Sequence, residues 1–338
     1  MTHGGLVTIR VLHSMRPPGS ETRYANHMAA VAGADIQVRF FNWRTAFGLG
    51  YDIFHLHWPE HFVGNRVGVR ALAAEARTWA LIIRLRALRT PVVRTLHNVV
   101  PHDASTSASR RYRRIAKAFD ALTVADVLLV PEPNLDRRQE RVRIPHGHYR
   151  EAFAAHPKSN VSRGRIIYFG LIKQYKGLDT LLDAFGSIDD ESLRLRIVGK
   201  PADDVSASDV MVASGRDDRV SLDLSFVPDA QLVAEITSSA LVVLPYSEMH
   251  SSGAVLVALS LDRPVLVPDS LTGRALQAEV GGDWVFMFEP PLDATRLAEV
   301  YDLVKDRGPL PSPDMSERDW KVVRESHRLL YLRLVGAG

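Results

Sequence analysis

Short apolar runs separated by turn-forming residues recur along the whole chain. The β-branched run Val7-Thr-Ile-Arg-Val-Leu12 ends in His13-Ser-Met-Arg-Pro-Pro-Gly-Ser20, a turn-rich loop, and helical spacing follows over residues 21–32. This is a strand, loop, helix unit. Further strands are predicted at 36–41, 53–56, 92–96 and 127–130, with helices near 69–89 and 112–121. A second series starts after Pro145-His-Gly-His148 and the polar stretch 156–165. Its strands are expected at 165–169, 193–198, 220–224, 241–244 and 264–267, with helices at 177–187, 229–238, 253–261 and 294–305. The last stretch, 316–335, has helical spacing at Trp320, Val323, Leu330 and Leu334. Alternation of this kind predicts an α/β protein of two doubly wound parallel-sheet domains, residues 1–150 and 151–315, joined near 145–163 and followed by a terminal helical segment, 316–338.

Composition narrows the function classes. With 338 residues, 46% apolar and 24% charged, the chain is neither collagenous, coiled-coil nor disordered. Its longest apolar stretches, 79–83 and 254–259, fall far short of the roughly 20 residues that cross a bilayer. Residues 1–10 show no export signal, so a cytoplasmic location is expected. The absence of cysteine excludes disulfides, thiolate metal sites and cysteine nucleophiles. The net charge of +3 hides an asymmetry: residues 1–150 hold 22 Lys/Arg against 11 Asp/Glu (+11), and the remainder 20 against 28 (−8).

In open parallel sheets ligands bind beyond the carboxyl ends of the strands, and those loops carry the unusual residues. Phe169-Gly-Leu-Ile-Lys-Gln-Tyr-Lys-Gly177 places Gly170, Lys173, Lys176 and a second glycine beside a helix start, which suits a phosphate. Leu244-Pro-Tyr-Ser-Glu-Met-His-Ser-Ser-Gly-Ala254 offers Ser251, Ser252, Gly253 and Ala254 as a second anion cradle, with Glu248 positioned for sugar hydroxyls. In the first half, Tyr51-Asp-Ile-Phe-His-Leu-His-Trp-Pro-Glu60 ends a strand with His57, Trp58 and Glu60 together, an aromatic face beside a carboxylate that suits a sugar ring. The next strand runs into Thr95-Leu-His-Asn-Val-Val-Pro-His-Asp103, where His97 or His102 could act as hydrogen-bond donor or general base. No Asp-x-Asp or His-Glu-x-x-His run occurs, and Pro59 separates His57 from His61, so no metal is expected. The fingerprints of P-loop kinases and of dinucleotide enzymes are also missing. The stretch 70–89 combines arginines with Trp79, Leu81, Ile82 and Ile83. It could lie on an anionic membrane surface, or pack on its sheet with its arginines solvated. Arg110-Arg-Tyr-Arg-Arg114 adds a second basic cluster.

Taken together, these segments resemble the GT-B glycosyltransferases, close to the large retaining family four, over nearly the whole chain. Gly170 to Gly177 is similar to that family's donor loop, retaining Lys176-Gly177 but with Leu171 where arginine usually stands. Glu248 can stand for the first of two donor-site glutamates, while Val257 occupies the second position. Pro245-Tyr246 and Ser252-Gly253-Ala254 resemble a subset of the family. Arg196-Ile-Val-Gly-Lys200 resembles the turn beside the nucleotide base, and Phe226-Val-Pro-Asp229 the loop that closes over it. Pro17-Pro-Gly-Ser20 resembles the loop facing the donor phosphates.

The resemblance implies two domains facing a central cleft, with the terminal helix returning to the first. It implies transfer of a sugar from a nucleotide-diphosphate donor to a hydroxyl of a saccharide, lipid-linked or small-molecule acceptor, without cofactor or metal. His97 and Glu248 are then the expected catalytic residues. Gly19, Gly170, Lys173, Lys176, Gly199, Lys200, Val227, Ser251, Ser252, Gly253 and Ala254 would bind the donor, and His57, Trp58, Glu60, Asn98 and His102 the acceptor. Peripheral contact with the inner membrane face is compatible with the basic helix, and no nucleic-acid partner is expected. A sugar-nucleotide epimerase of the same fold and a nucleic-acid-binding protein using the basic half are the competing readings.

Overall fold

The computed structural model describes residues 8–19, 23–63, 68–97, 106–131, 139–202, 205–247, 249, 253–308 and 310–336. Two compact units are present, one of Met1–Gly147 with Glu317–Gly338 and one of His148–Ser316. In the first unit, β1 (Ile9–His13), β2 (Ile36–Phe40), β3 (Ile53–Leu56), β4 (Val92–Leu96), β5 (Thr123–Leu128) and β6 (Glu140–Arg143) form one sheet in the order β2-β1-β3-β4-β5-β6. In the second, β7 (Arg165–Phe169), β8 (Arg194–Val198), β9 (Val220–Asp223), β10 (Leu241–Val243), β11 (Val265–Pro268) and β12 (Val285–Phe288) form another, in the order β12-β11-β10-β7-β8-β9. Every pairing is parallel, with Val11 opposite both Val38 and Ile53, and Ile167 opposite both Arg196 and Val242. The fold is therefore α/β and doubly wound in each unit.

Helices cover both faces of each sheet, which explains why central strands such as β3 and β11 are buried along their whole length. Successive residues serve opposite cores. Val11, Ile53 and Val93 meet Trp320, Val323 and Tyr331 of the helix Trp320–Gly336, whereas Leu12, Phe54 and Val92 meet Leu81 and Leu85 of the helix Gly68–Ala87. In the second unit Ile167 and Val242 pack on the buried helix Gly253–Ser260, and Ile166 and Leu241 on Leu181 and Phe185. Trp320 also fixes the chain where the unit closes on itself. A Cβ at Gly147 would stand 2.2 Å from its indole, so only glycine fits there.

Several elements differ from the pattern-based expectation. Strand β5 starts at Thr123, four residues earlier than expected, because Asp126 interrupts its apolar run. That carboxylate is nonetheless buried, held by Arg94 at 2.8 Å across the β4–β5 pair. Strand β6, Glu-Arg-Val-Arg, is a partly exposed edge strand with one apolar residue, and β12 is four residues between turns. The helices Trp43–Phe47, Ala207–Ser214 and Leu271–Val280 were also not foreseen. They are short, and each is fixed by a side-chain cap, from Asn42, Ser206 and Ser270.

Trp320→Ala should cost about 3–5 kcal/mol by opening a cavity against Gly147 and the first sheet. Leu329→Ala, on the exposed side of the same helix, should stay within about 0.5 kcal/mol. Urea unfolding of the two variants tests this; equal stability would refute the anchoring role of the indole.

Candidate active site

The order of the second sheet reverses at β7 and β10, which are direct neighbours. The connections leaving them diverge, so the space beyond their carboxyl ends is left uncovered. Residues 170–177 and 244–247 emerge there and lock together. Backbone N–H and Oγ of Ser247 both donate to the carbonyl of Tyr175 at 3.1 Å. Gly177 lies in the left-handed region (φ +64°), where a Cβ would stand 2.1 Å from the carbonyl oxygen of Pro245. Gly177 also caps the helix Leu178–Gly186, with no side-chain capping hydrogen bond. The loop after β8 joins the assembly. A Cβ at Gly199 (φ +153°) would lie 1.9 Å from the carbonyl oxygen of Gly170, whose own φ is +107°. These glycines let three loops approach by their backbones.

Charge is supplied by lysines. The Lys176 ammonium sits 5.4 Å from the centre of the Tyr246 ring, and that of Lys173 5.9 Å from the centre of the Tyr175 ring. Burial, and secondarily the Lys173 charge, lowers the Lys176 pKa to about 8. Lys176 is thus a partly desolvated cation lacking a carboxylate partner among the described residues, a state that an incoming anion would relieve. Lys200 is exposed on the loop after β8, and Val227, after β9, rests its side chain against the core. Gly253 and Ala254 begin the helix Gly253–Ser260. Glu248, Ser251 and Ser252 lie outside the described residues.

The first sheet reverses at β1 and β3. His13 ends β1, directly opposite His55 of β3, and His57 follows β3 on the same face as His55. Ser14 fixes this corner: its Oγ donates to the carbonyl of His57 at 2.8 Å and accepts from the His57 N–H at 2.6 Å. Trp58 follows in the left-handed region (φ +43°), strain that an indole adopts only when its surroundings hold it there. Its ring stacks on His97 at 4.0 Å and 17°, and Tyr24 meets His97 edge-on at 4.9 Å. Glu60 is half-buried at the start of the helix Glu60–Val63, and Gly19 is exposed in the loop after β1. Asn98 and His102 lie outside the described residues.

His57 is fully buried, and its nitrogens face His13 at 3.0 Å and His97 at 3.1 Å. It stands behind His97 and presents no atom to an acceptor. The pattern had also missed His13, His55 and His327, all buried. The signal was present in His55-Leu-His57, since residues two apart in a strand share one face. Burial lowers the pKa values of these groups: to about 3 for His13 and His97, to about 4 for His146 and His327, and well below the usual imidazole range for His55 and His57. One nitrogen each of His13, His55 and His57 could gather around a metal ion, within 4.8 Å of one another. Both nitrogens of His55 already bond, to Tyr331 Oη at 2.6 Å and Thr95 Oγ1 at 2.8 Å, so an ion there would have to break a satisfied network.

Residues 163–304 match the family model "Glycosyl transferases group 1". The chain is 39% identical over 334 residues to a GDP-mannose:glycolipid 4-beta-D-mannosyltransferase of Xanthomonas campestris pv. campestris, covering 97% of this chain and 93% of the relative. This chain is a GT-B glycosyltransferase. Among solved structures, a sucrose-phosphate synthase from Thermosynechococcus elongatus has the same fold at 16% identity, with a TM-score of 0.67, 98% of this chain and 100% of that one covered. A trehalose-phosphate synthase from Burkholderia vietnamiensis follows at 12% identity, TM-score 0.62, and 98% and 100% coverage. The glycosyltransferase takes its sugar from a nucleotide donor.

If Lys176 holds the donor phosphates, nucleoside diphosphate affinity should be flat up to about pH 7 and fall as the pH rises through about 8, where the uncomplexed lysine loses its proton. The loss should reach about tenfold or more near pH 9. Lys176→Arg, always protonated, should flatten the profile in titration calorimetry. An unchanged slope in that variant would remove Lys176 from the phosphate site.

Proposed function

We propose that this glycosyltransferase moves mannose from GDP-mannose to a hydroxyl of a lipid-linked saccharide. The near full-length identity to an enzyme of that name carries the reading. The second unit would hold the donor. Lys173, Lys176 and the N–H groups around Gly253 would take up the charge that grows on the departing diphosphate, the part a metal ion plays elsewhere. Glu248 would contact sugar hydroxyls, and Gly170, Gly199, Lys200 and Val227 would shape the nucleotide end. On the first unit, Trp58 offers an aromatic face to an acceptor ring beside Glu60, and His97 bonds a substrate oxygen at the same edge.

A lipid-linked acceptor calls for a surface that meets the membrane. No helix among the described residues is long and apolar enough to cross one. The helix Gly68–Ala87 instead packs Ala71, Ala74, Leu81 and Leu85 inward while turning Val69, Leu72, Ala76, Ala80, Ile83 and Ala87 outward, all exposed. Spacings of three and four place these six on one stripe. Arg70, Arg77 and Arg86 beside it are exposed too. A helix apolar on both faces with flanking arginines suits an anionic bilayer. Each large side chain contributes about 1.5–3 kcal/mol when fully buried, and each arginine about 1 kcal/mol near anionic lipid.

The assay is mannosyl transfer from GDP-mannose to a polyprenyl-diphosphate-linked saccharide, followed by mass spectrometry of the product with and without EDTA. Product in both arms supports the reading. Donor conversion without acceptor would point to an epimerase, and tight, salt-sensitive binding to polynucleotide with no transfer to the nucleic-acid alternative. Separately, Leu72→Glu with Ile83→Glu should abolish co-sedimentation with phosphatidylglycerol vesicles and leave the melting temperature unchanged. Undiminished vesicle binding would exclude this helix as the membrane face.

A further inference from the structure

His97, His57 and His13 form an unbroken row of rings. His97 Nε2 faces His57 Nδ1 at 3.1 Å, and His57 Nε2 faces His13 Nδ1 at 3.0 Å. His13 Nε2, at the far end, is buried with no hydrogen-bond partner. The surroundings are apolar or aromatic, with Phe40, His55 and the edge of Tyr331 against the His13 ring. Burial keeps all three imidazoles neutral near pH 7.

A neutral imidazole carries one N–H, and each ring-to-ring bond needs one N–H and one bare nitrogen. His57 shares both its nitrogens, so its single proton decides both bonds. Only two arrangements satisfy them: every proton on Nδ1, or every proton on Nε2. The second would leave the His13 Nε2–H buried without an acceptor, and orphaned buried N–H groups are rarer than under-satisfied acceptors. The same interior already holds a bare imidazole nitrogen. His327 Nδ1 lies 2.8 Å from the carbonyl of Val323, which can only accept, so the proton is on Nδ1 and the buried Nε2 is bare.

We propose that His13 and His57 are positioning residues that lock His97 in its Nδ1–H form, so that His97 serves the reaction as a hydrogen-bond donor and not as the general base. The two roles open to a histidine at this strand end are thereby separated. The lock acts over two rings, from a residue with no access to substrate. His97 is held flat by Trp58 and fixed in tautomer by His57, and the base for the acceptor hydroxyl is a carboxylate, with Glu60 the candidate on this unit. The functional consequence rests on the reading that His97 meets a substrate oxygen, whereas the tautomer itself does not.

Ring-nitrogen correlation spectra of the whole protein labelled with 15N-histidine, recorded without substrate, test the lock directly. His13, His57 and His97 should each show a protonated Nδ1 and a bare Nε2, opposite to the form that free imidazole side chains favour. In His13→Asp, folded by circular dichroism, an ionised carboxylate that can only accept would face His57 Nε2, and His57 and His97 should lose that pattern in favour of Nε2–H. Protonated Nε2 at His97 in the wild type, or three rings that differ in tautomer, would overturn the proposal whatever the substrate is. For function, His97→Ala should lose about a hundredfold in kcat. His97→Asn, which keeps an N–H donor near the Nδ1 position, should recover most of that loss with an unshifted pH profile. Asparagine as inactive as alanine, together with a wild-type pH profile that loses its acidic limb in both variants, would make His97 the base.

Discussion

Parallel pairing across a reversal of strand order is the constraint on which the rest depends. A strand pair such as β7 and β10 is buried on both sides by helices, yet its two outgoing connections turn to opposite faces and cannot cover the strand ends between them. Buried apolar strands therefore deliver polar loops to a fixed place. The first sheet repeats this at β1 and β3, delivering histidines where the second delivers glycines and lysines. The two units share an architecture and differ in what arrives at the same geometric point.

In the second unit backbone comes unusually close to backbone at that point. Gly177 against Pro245 and Gly199 against Gly170 leave no room for a Cβ, so three loops meet backbone to backbone. Among the described residues no carboxylate pairs with Lys176. Lys176 has a lowered pKa in its place beside Tyr246, and an anion bound there would oppose that shift. A site of this kind is least comfortable when empty, which favours the charge of a leaving diphosphate over that of a singly charged bystander.

Much of this was legible in the chain because the decisive residues are local. Glycines and lysines within eight positions after a β-branched run mark the loop after β7, proposed to hold the donor, and a period of two or of three to four gives most elements. The histidine row was not legible. Its members come from the end of β1 and from just after β3 and β4, separated by 44 and 40 positions where they bond to each other, and the neighbouring His55 bonds Tyr331 of the terminal helix 276 positions on. His57 and His97 read singly as site residues, and His13 as an ordinary loop histidine, with nothing to join the three. Strand β5 was shifted for a related reason: the charge of Asp126 signals exposure unless Arg94, 32 positions earlier, is known to meet it. Short capped helices and the edge strand β6 carry too few residues for periodicity to register.

The two units also solve the problem of buried polarity in different ways. Around β7 and β8, Glu235 ties Arg165 and Arg196 into a paired network, so charge is kept and neutralised. Around β1 and β3, charge is removed: the imidazoles are stripped of water, stay neutral, and satisfy one another ring to ring. A neutral row has one property that an ion pair lacks. Because each ring has a single proton, moving that of one ring obliges the next to move as well, so the row behaves as one object with two states. A nitrogen at the sheet edge can then be set by an unpartnered nitrogen deep in the core. Histidine is the one side chain that fits this use, since its two nitrogens exchange roles without any change in shape or charge.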